Sequence, residues 1–177
     1  MGFEEDAIAL AAEARVQADR SRLLRDAKAR EDAEAREDAE MASGFIAFLE
    51  KHNFVPAPVY VQTTFKKGTF GSSKQFHELA GPGWILSVQG DGGMSSLVIT
   101  ADGRASRLGF LATPSNPLRP SSGTVYRGLP HSGTFIQAVF SLGAPELGSD
   151  EKNAMTRAAA SVLNGSGQRH AGSANTL

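Results

Sequence analysis

The chain contains no cysteine, which excludes disulfides, thiolate zinc sites, iron–sulfur clusters and a cysteine nucleophile while leaving the redox compartment open. No run approaches the roughly 18 consecutive apolar residues of a membrane span. The first fifteen residues, MGFEEDAIALAAEAR, set two glutamates and an aspartate ahead of the apolar positions. A secretory signal would begin with cations and continue with an unbroken apolar run. The expectation is an uncleaved, cytoplasmic protein. Histidines number 4, at positions 52, 77, 131 and 170. No two stand at i, i+4, and the adjacent His77-Glu78 pair points two ways on a helix or a strand, so metal-ligand spacing is missing. The sequence calls for no metal and no cofactor.

What is present divides the chain. Residues Arg25 to Glu40 read RDAKAREDAEAREDAE, an alanine and charge run without a large apolar side chain, inside a segment with helical character from about Phe3 to His52. Acid-before-base pairs at i, i+4, such as Asp26/Arg30 and Asp32/Arg36, support such a helix by a few tenths of a kcal/mol each. Before this run Phe3, Leu10, Ala14, Leu23 and Leu24 supply a narrow apolar stripe and are the candidate partner-binding residues. The heptad series through Phe3 and Leu10 meets Gln17, Glu31 and Asp38, and its companion meets Ser21 and Lys28, so a sustained coiled coil is not expected. Ser43-Gly44 predicts a kink or restart. Phe45, Ile46, Phe48 and Leu49 then form a dense apolar face that should pack on the body.

The remainder is rich in glycine, proline, β-branched residues and aromatics. Strands are expected at Val59–Phe65, at Trp84–Val88 after a turn at Gly81-Pro82-Gly83, at Thr124–Arg127 and at Thr134–Leu142. Asp102-Gly103 predicts a two-residue hairpin pairing Leu97 with Leu108 and Ile99 with Ser106, which would gather Leu97, Ile99, Leu108 and Phe110 on one face. A final helix runs from about Asp150 to Asn164, with Ser149 as its N-cap and a stripe of Met155, Ala158, Ala159 and Val162. The expected fold is α+β: a long N-terminal helix (1–42, an interaction arm), a body with a small antiparallel sheet and a C-terminal helix packed on it (43–164), and a flexible tail (165–177).

Residues 1–52 carry 13 acids and 8 bases, and residues 53–177 carry 6 acids and 10 bases. This opposite charge lets the helix lie on its own body or on that of a neighbouring copy. Lys66, Lys67 and Lys74 interleave with Phe65, Phe70 and Phe76, and Arg104 and Arg107 follow on the sheet, a pattern in which aromatics stack bases and cations meet phosphate. An enzyme site would need His77, Glu78, Asp91 or His131 in one pocket. A triad of His131, Ser132 and Asp91 or Asp102 can be assembled only on paper. The glycines around Asp91 lack the context of a phosphate loop. The function the sequence favours is a non-enzymatic assembly or interaction protein, such as an accessory or structural component of a bacterial or phage-type assembly. Its N-terminal helix would mediate self-association or the docking of a protein partner. Single-stranded nucleic-acid binding through the basic, aromatic body is the alternative, and a small enzyme the third class.

Overall fold

The structure, a computed structural model, describes residues 2–67, 73–90, 93–119, 124–165 and 171–174. Phe70 and Asp91 lie outside them. The chain divides into two compact units, Met1–Glu37 and Asp38–Leu177. Helix α1 (Phe3–Lys51) begins in the first unit. There it is held by local bonds: Ser21 Oγ donates to the Gln17 carbonyl at 2.8 Å, Arg25 Nε to the Ser21 carbonyl at 3.2 Å, and Arg22 faces Asp26 at 3.9 Å. The restart expected at Ser43-Gly44 does not occur. Ser43 Oγ bonds back to the Ala39 carbonyl at 2.8 Å, and Ala42, Phe45, Ile46 and Leu49 are buried on either side of Gly44. Packing of that face outweighs a glycine cost of about 1 kcal/mol.

The second unit is α+β. Among the described residues the strands are β1 (Ala57–Lys67), β2 (Ser73–Gly90), β3 (Gly93–Thr100), β4 (Ala105–Arg107), β5 (Gly109–Ala112), β6 (Thr124–Arg127) and β7 (Phe135–Ala138), followed by helix α2 (Ser149–Leu163). They form one sheet in the order β4-β3-β2-β1-β7-β5, with β6 added to β2. The sheet is mixed, because β1 pairs with β7 and β2 with β6 in parallel while the other ladders are antiparallel.

Its two ends are one piece of chain. Strands β4 and β5 are separated by Leu108 alone, and β4 pairs with β3 while β5 pairs with β7. Leu108 adopts φ 68, a left-handed conformation that costs a bulky residue about 1–2 kcal/mol. It serves both neighbours, with its N–H donating to the Ser96 carbonyl at 2.7 Å and its carbonyl accepting from Val139 N–H at 3.1 Å. Ser96 Oγ accepts from Gly109 N–H at 2.7 Å and donates to the Gly109 carbonyl at 2.9 Å. The sheet therefore closes into a ring, β1-β2-β3-β4/β5-β7. Every strand direction around it is mutually consistent.

Closure creates two cores. Inside the ring Ala57, Val59, Ile85, Val98, Ile136 and Ala138 pack together, with Leu111 against them. Outside it, Trp84, Leu86 and Val88 of β2 alternate with the inner residues and join Leu97 and Ile99 of β3. This outer face is covered by Ala42, Phe45, Ile46 and Leu49 of α1 and by Ala154, Met155, Ala158 and Val162 of α2. Trp84 Nε1 donates to the Phe54 carbonyl at 3.2 Å, so the indole is buried without an orphan donor. Part of the segment read as a loose tail is built in: Gly172 accepts from Ile85 N–H at 2.7 Å, Ala174 N–H donates to the Ile85 carbonyl at 2.9 Å, and Ala174 is fully buried.

Three expectations fail in instructive ways. The Asp102-Gly103 hairpin has a three-residue loop, with Gly103 N–H bonded to the Thr100 carbonyl and Thr100 N–H to the Arg104 carbonyl. The pairs are consequently Leu97↔Arg107 and Ile99↔Ala105. A Gly103 φ of 84 suits the third position of such a loop. The one-residue slip puts Arg107 and not Leu108 opposite Leu97, and Leu108 and Phe110, beyond the hairpin's last pair, are 37% and 47% exposed. Gly81-Pro82-Gly83 reverses nothing. It is the middle of β2, whose first half pairs with β1 and second half with β3, and Gly83 faces both Ala57 and Thr100. The N-cap of α2 is Gly148, with no side-chain cap bond from Ser149.

A methyl group on Gly109 would run into Val98 Cγ2 and come within 3.1 Å of the Gln137 carbonyl. Gly109→Ala is expected to lower unfolding free energy by about 2–3 kcal/mol, read as a fall in the urea midpoint. An unchanged midpoint would show that the seam is loose.

Candidate functional site

Along α1 every described side chain from Leu10 to Glu37 is exposed. Five large apolar ones stand out: Ile8, Leu10, Val16, Leu23 and Leu24 are 64–71% exposed. The side chain of Phe3 lies outside the described part. At about 100° per residue, the stripe resolves into two. Leu10 and Leu24 share one sector with Ala14, whereas Leu23 falls with Ile8, Ala12 and Val16 within a sector of about 80°. Ile8 was missed in the sequence because it sits off the Phe3–Leu10 series. Its spacing of four and eight residues from Ala12 and Val16 is the signal that finds it.

The basic residues do not form one site. Arg104 is bound to Asp102 at 2.8 Å and donates to the Ala80 carbonyl at 2.8 Å. Arg107 donates to the Glu146 carbonyl at 3.1 Å and faces Glu151 at 3.5 Å, tying β4 to the first turn of α2. Both arginines thus have partners within the fold, with side chains 42% and 60% exposed. The lysines belong to a three-stranded ribbon made by the far ends of β1 and β2 with β6. Lys66 stands directly opposite Lys74, Lys74 opposite Val125, and Phe76 opposite Arg127. Directly opposed residues share a face, so Lys66, Lys74, Phe76, Val125 and Arg127 lie on one side, while Phe65 and Lys67 lie on the other. Lys66 Nζ sits 5.5 Å above the Phe76 ring.

Among the described residues the enzyme candidates do not converge. His131 and Ser132 are exposed and line a cavity of about 240 Å³ with Thr113, Pro114, Pro117 and Phe135, and its lining carries no carboxylate. Asp102 is engaged by Thr100 and Arg104. Glu78 is exposed on β2. His77 is buried beside Gln137. Its Nδ1 lies 3.3 Å from the Arg127 carbonyl, which can only accept, so Nδ1 donates. Nε2 is then left to accept from Gln137 Nε2 at 2.9 Å. The arrangement demands a neutral ring. Burial lowers the His77 pKa below its usual value, outweighing the backbone hydrogen bonds of Arg127 and Gln75. Among the described residues no group of three or more His, Asp or Glu is placed to hold a metal ion, and no helix is long and apolar enough to cross a membrane.

One acid of the alanine and charge run is structural. Asp38 is buried; its Oδ2 accepts from Leu147 N–H at 2.8 Å and its Oδ1 meets Lys152 Nζ at 2.9 Å. Burial alone would raise its pKa, but the hydrogen bonds from Lys152 and Leu147 and the charges of Lys152 and Arg107 hold it below the ordinary aspartate value. Comparison of the chain with protein families, with curated proteins and with solved structures finds no match in any of the three.

Two pH effects follow. Asp38 contributes stability that is complete above its unfolded pKa of about 3.9 and is lost as the pH falls toward its lower folded value. Asp38→Asn should therefore flatten the thermal-stability curve below about pH 4. At neutral pH the same variant should be less stable by about 2–4 kcal/mol, because Lys152 loses its charge partner. His77 contributes stability that is complete above about pH 6.5 and is lost as the pH falls toward its own lower folded value. Thermal melts of His77→Gln should lose that loss on the acid side of pH 6.5. A slope identical to wild type would remove His77 as its source.

Proposed function

We propose that the protein is a non-enzymatic assembly or interaction protein whose N-terminal helix mediates self-association or the docking of a protein partner. One observation carries this reading: Ile8, Leu10, Val16, Leu23 and Leu24 stand 64–71% exposed on one helix, within the first unit of the chain. Single exposed apolar residues need no explanation, but a series of them at helical spacing supplies the anchors by which amphipathic helices dock. Fully burying one such side chain is worth about 1.5–3 kcal/mol. Three in one sector contribute about 4.5–9 kcal/mol before the entropic cost of binding. The alanine and charge run beyond Leu24 suits this role as a stiff, solvated continuation whose helicity needs no partner.

Light scattering and sedimentation over a concentration series should find the full chain associating. The variant carrying Ile8→Gln, Val16→Gln and Leu23→Gln should be monomeric, with an unchanged melting temperature of the body. If wild type and variant are both monomeric with salt removed, self-association fails and a heterologous partner is left as the helix's ligand. If both associate equally, the helix is not the contact.

A further inference from the structure

The ribbon face described above carries a cost that the fold does not require. Lys66 and Lys74 are directly opposed across β1 and β2, and like charges in that position destabilise a sheet. Arg127 lies on the same face, two residues along β6 from Val125. Val125 is 42% exposed and Phe76 half-buried. The surface is thus an apolar patch, Phe76 and Val125, with three cations around it. Glu78, two residues beyond Phe76 on β2, marks where the cationic stretch ends. Among the described residues no hydrogen bond or ion pair commits these three cationic heads to a carboxylate, in contrast to Arg104 and Arg107.

The first unit of the chain holds the matching pattern. In the sector of α1 that carries Ile8, Ala12, Val16 and Leu23, Asp19 lies between Val16 and Leu23 and Asp26 follows, weakly paired with Arg22, with Arg30 one turn further on. Asp19 and Asp26 are seven residues apart, about 10 Å along the helix. Lys66 and Arg127 are separated by two strand spacings sideways and about two residues lengthwise, or about 12 Å. Apolar side chains alternate with acids on one surface and with bases on the other, at similar spacing.

From this we propose that the occupant of the ribbon face is the N-terminal helix of a second copy of the chain, with Val16 and Leu23 on Phe76 and Val125, and Asp19 and Asp26 against Lys66, Lys74 and Arg127. The inference rests on the self-association proposed above and names its receiving surface. It also explains the acids in the apolar stripe: two such helices packed on each other along that sector would bring aspartates into a shared seam, whereas the ribbon supplies their counter-charges. Reciprocal docking of two copies makes a closed two-fold dimer.

Charge reversal tests the pairing. The variant Lys66→Glu with Lys74→Glu has an acidic ribbon and an acidic helix. The variant Asp19→Lys with Asp26→Lys has a basic ribbon and a basic helix. Each alone should associate at least about tenfold more weakly than wild type. An equimolar mixture of the two should recover association, because each helix then meets a ribbon of opposite sign. Recovery in the mixture excludes misfolding as the cause of the individual losses. If wild type associates but the mixture stays as weak as its components, the ribbon assignment is wrong while self-association stands. If wild type does not associate even at low salt, the reading beneath it fails as well. A fluorescent single-stranded oligonucleotide, added to monomeric wild type and bound in a manner abolished by Lys66→Glu with Lys74→Glu, would reassign the face to nucleic acid.

Discussion

The second unit depends on the closure at Leu108. A sheet of this order has two ends, β4 and β5, and each would present unpaired backbone groups to other chains if left open. Here both ends are the same few residues. One residue in a left-handed conformation lets the chain leave the β3 ladder and enter the β7 ladder without a gap, and Ser96 fills the hydrogen-bonding left over at Gly109. The strain at Leu108 is small beside what it secures, since the inner core of Val59, Ile85, Val98 and Ile136 exists only when the ring is shut. The same closure turns the other faces of β2 and β3 outward, where helices α1 and α2 bury them. The glycines at the tightest approaches follow from this geometry and not from any need for mobility.

Part of this was legible in the sequence. Alanine, charge and i, i+4 pairing announce a long helix because those signals are local, and Phe45, Ile46 and Leu49 announce a packed face because their spacing is helical. The alternation in Trp84–Val88 likewise marks a strand. What could not be read was long-range. Nothing near Pro82 says that the chain continues straight through it, because that is decided by β1 and β3 arriving on opposite halves of β2. The hairpin register slipped by one because Asp-Gly suits both a two-residue turn and the middle of a three-residue loop. The Thr100 and Arg104 contacts to Asp102 favour the second.

Charged residues were the least legible. Asp38 looked like any other acid of the polar run, yet it is fastened to Leu147 and Lys152, residues far along the chain. Arg104 and Arg107 looked available and are committed. Lys66, Lys67 and Lys74 looked like one set, yet the pairing of β1 with β2 puts Lys66 and Lys74 on one face and Lys67 on the other, and only the parallel pairing of β6 with β2 adds Arg127 to the first. A charge in a sequence says that water or a partner will be near it. Which of the two is settled by neighbours that the local sequence does not name.

The parallel pairing of β1 with β7 has a kinetic side. The ring shuts only when residues 59–61 find residues 136–138, and non-local pairings of that kind are slow, in the millisecond to second range typical of sheet-rich topologies. Helix formation takes about a microsecond. The exposed part of the N-terminal helix can therefore form well before the body has closed, and until that pairing is made the ends of the sheet stay open.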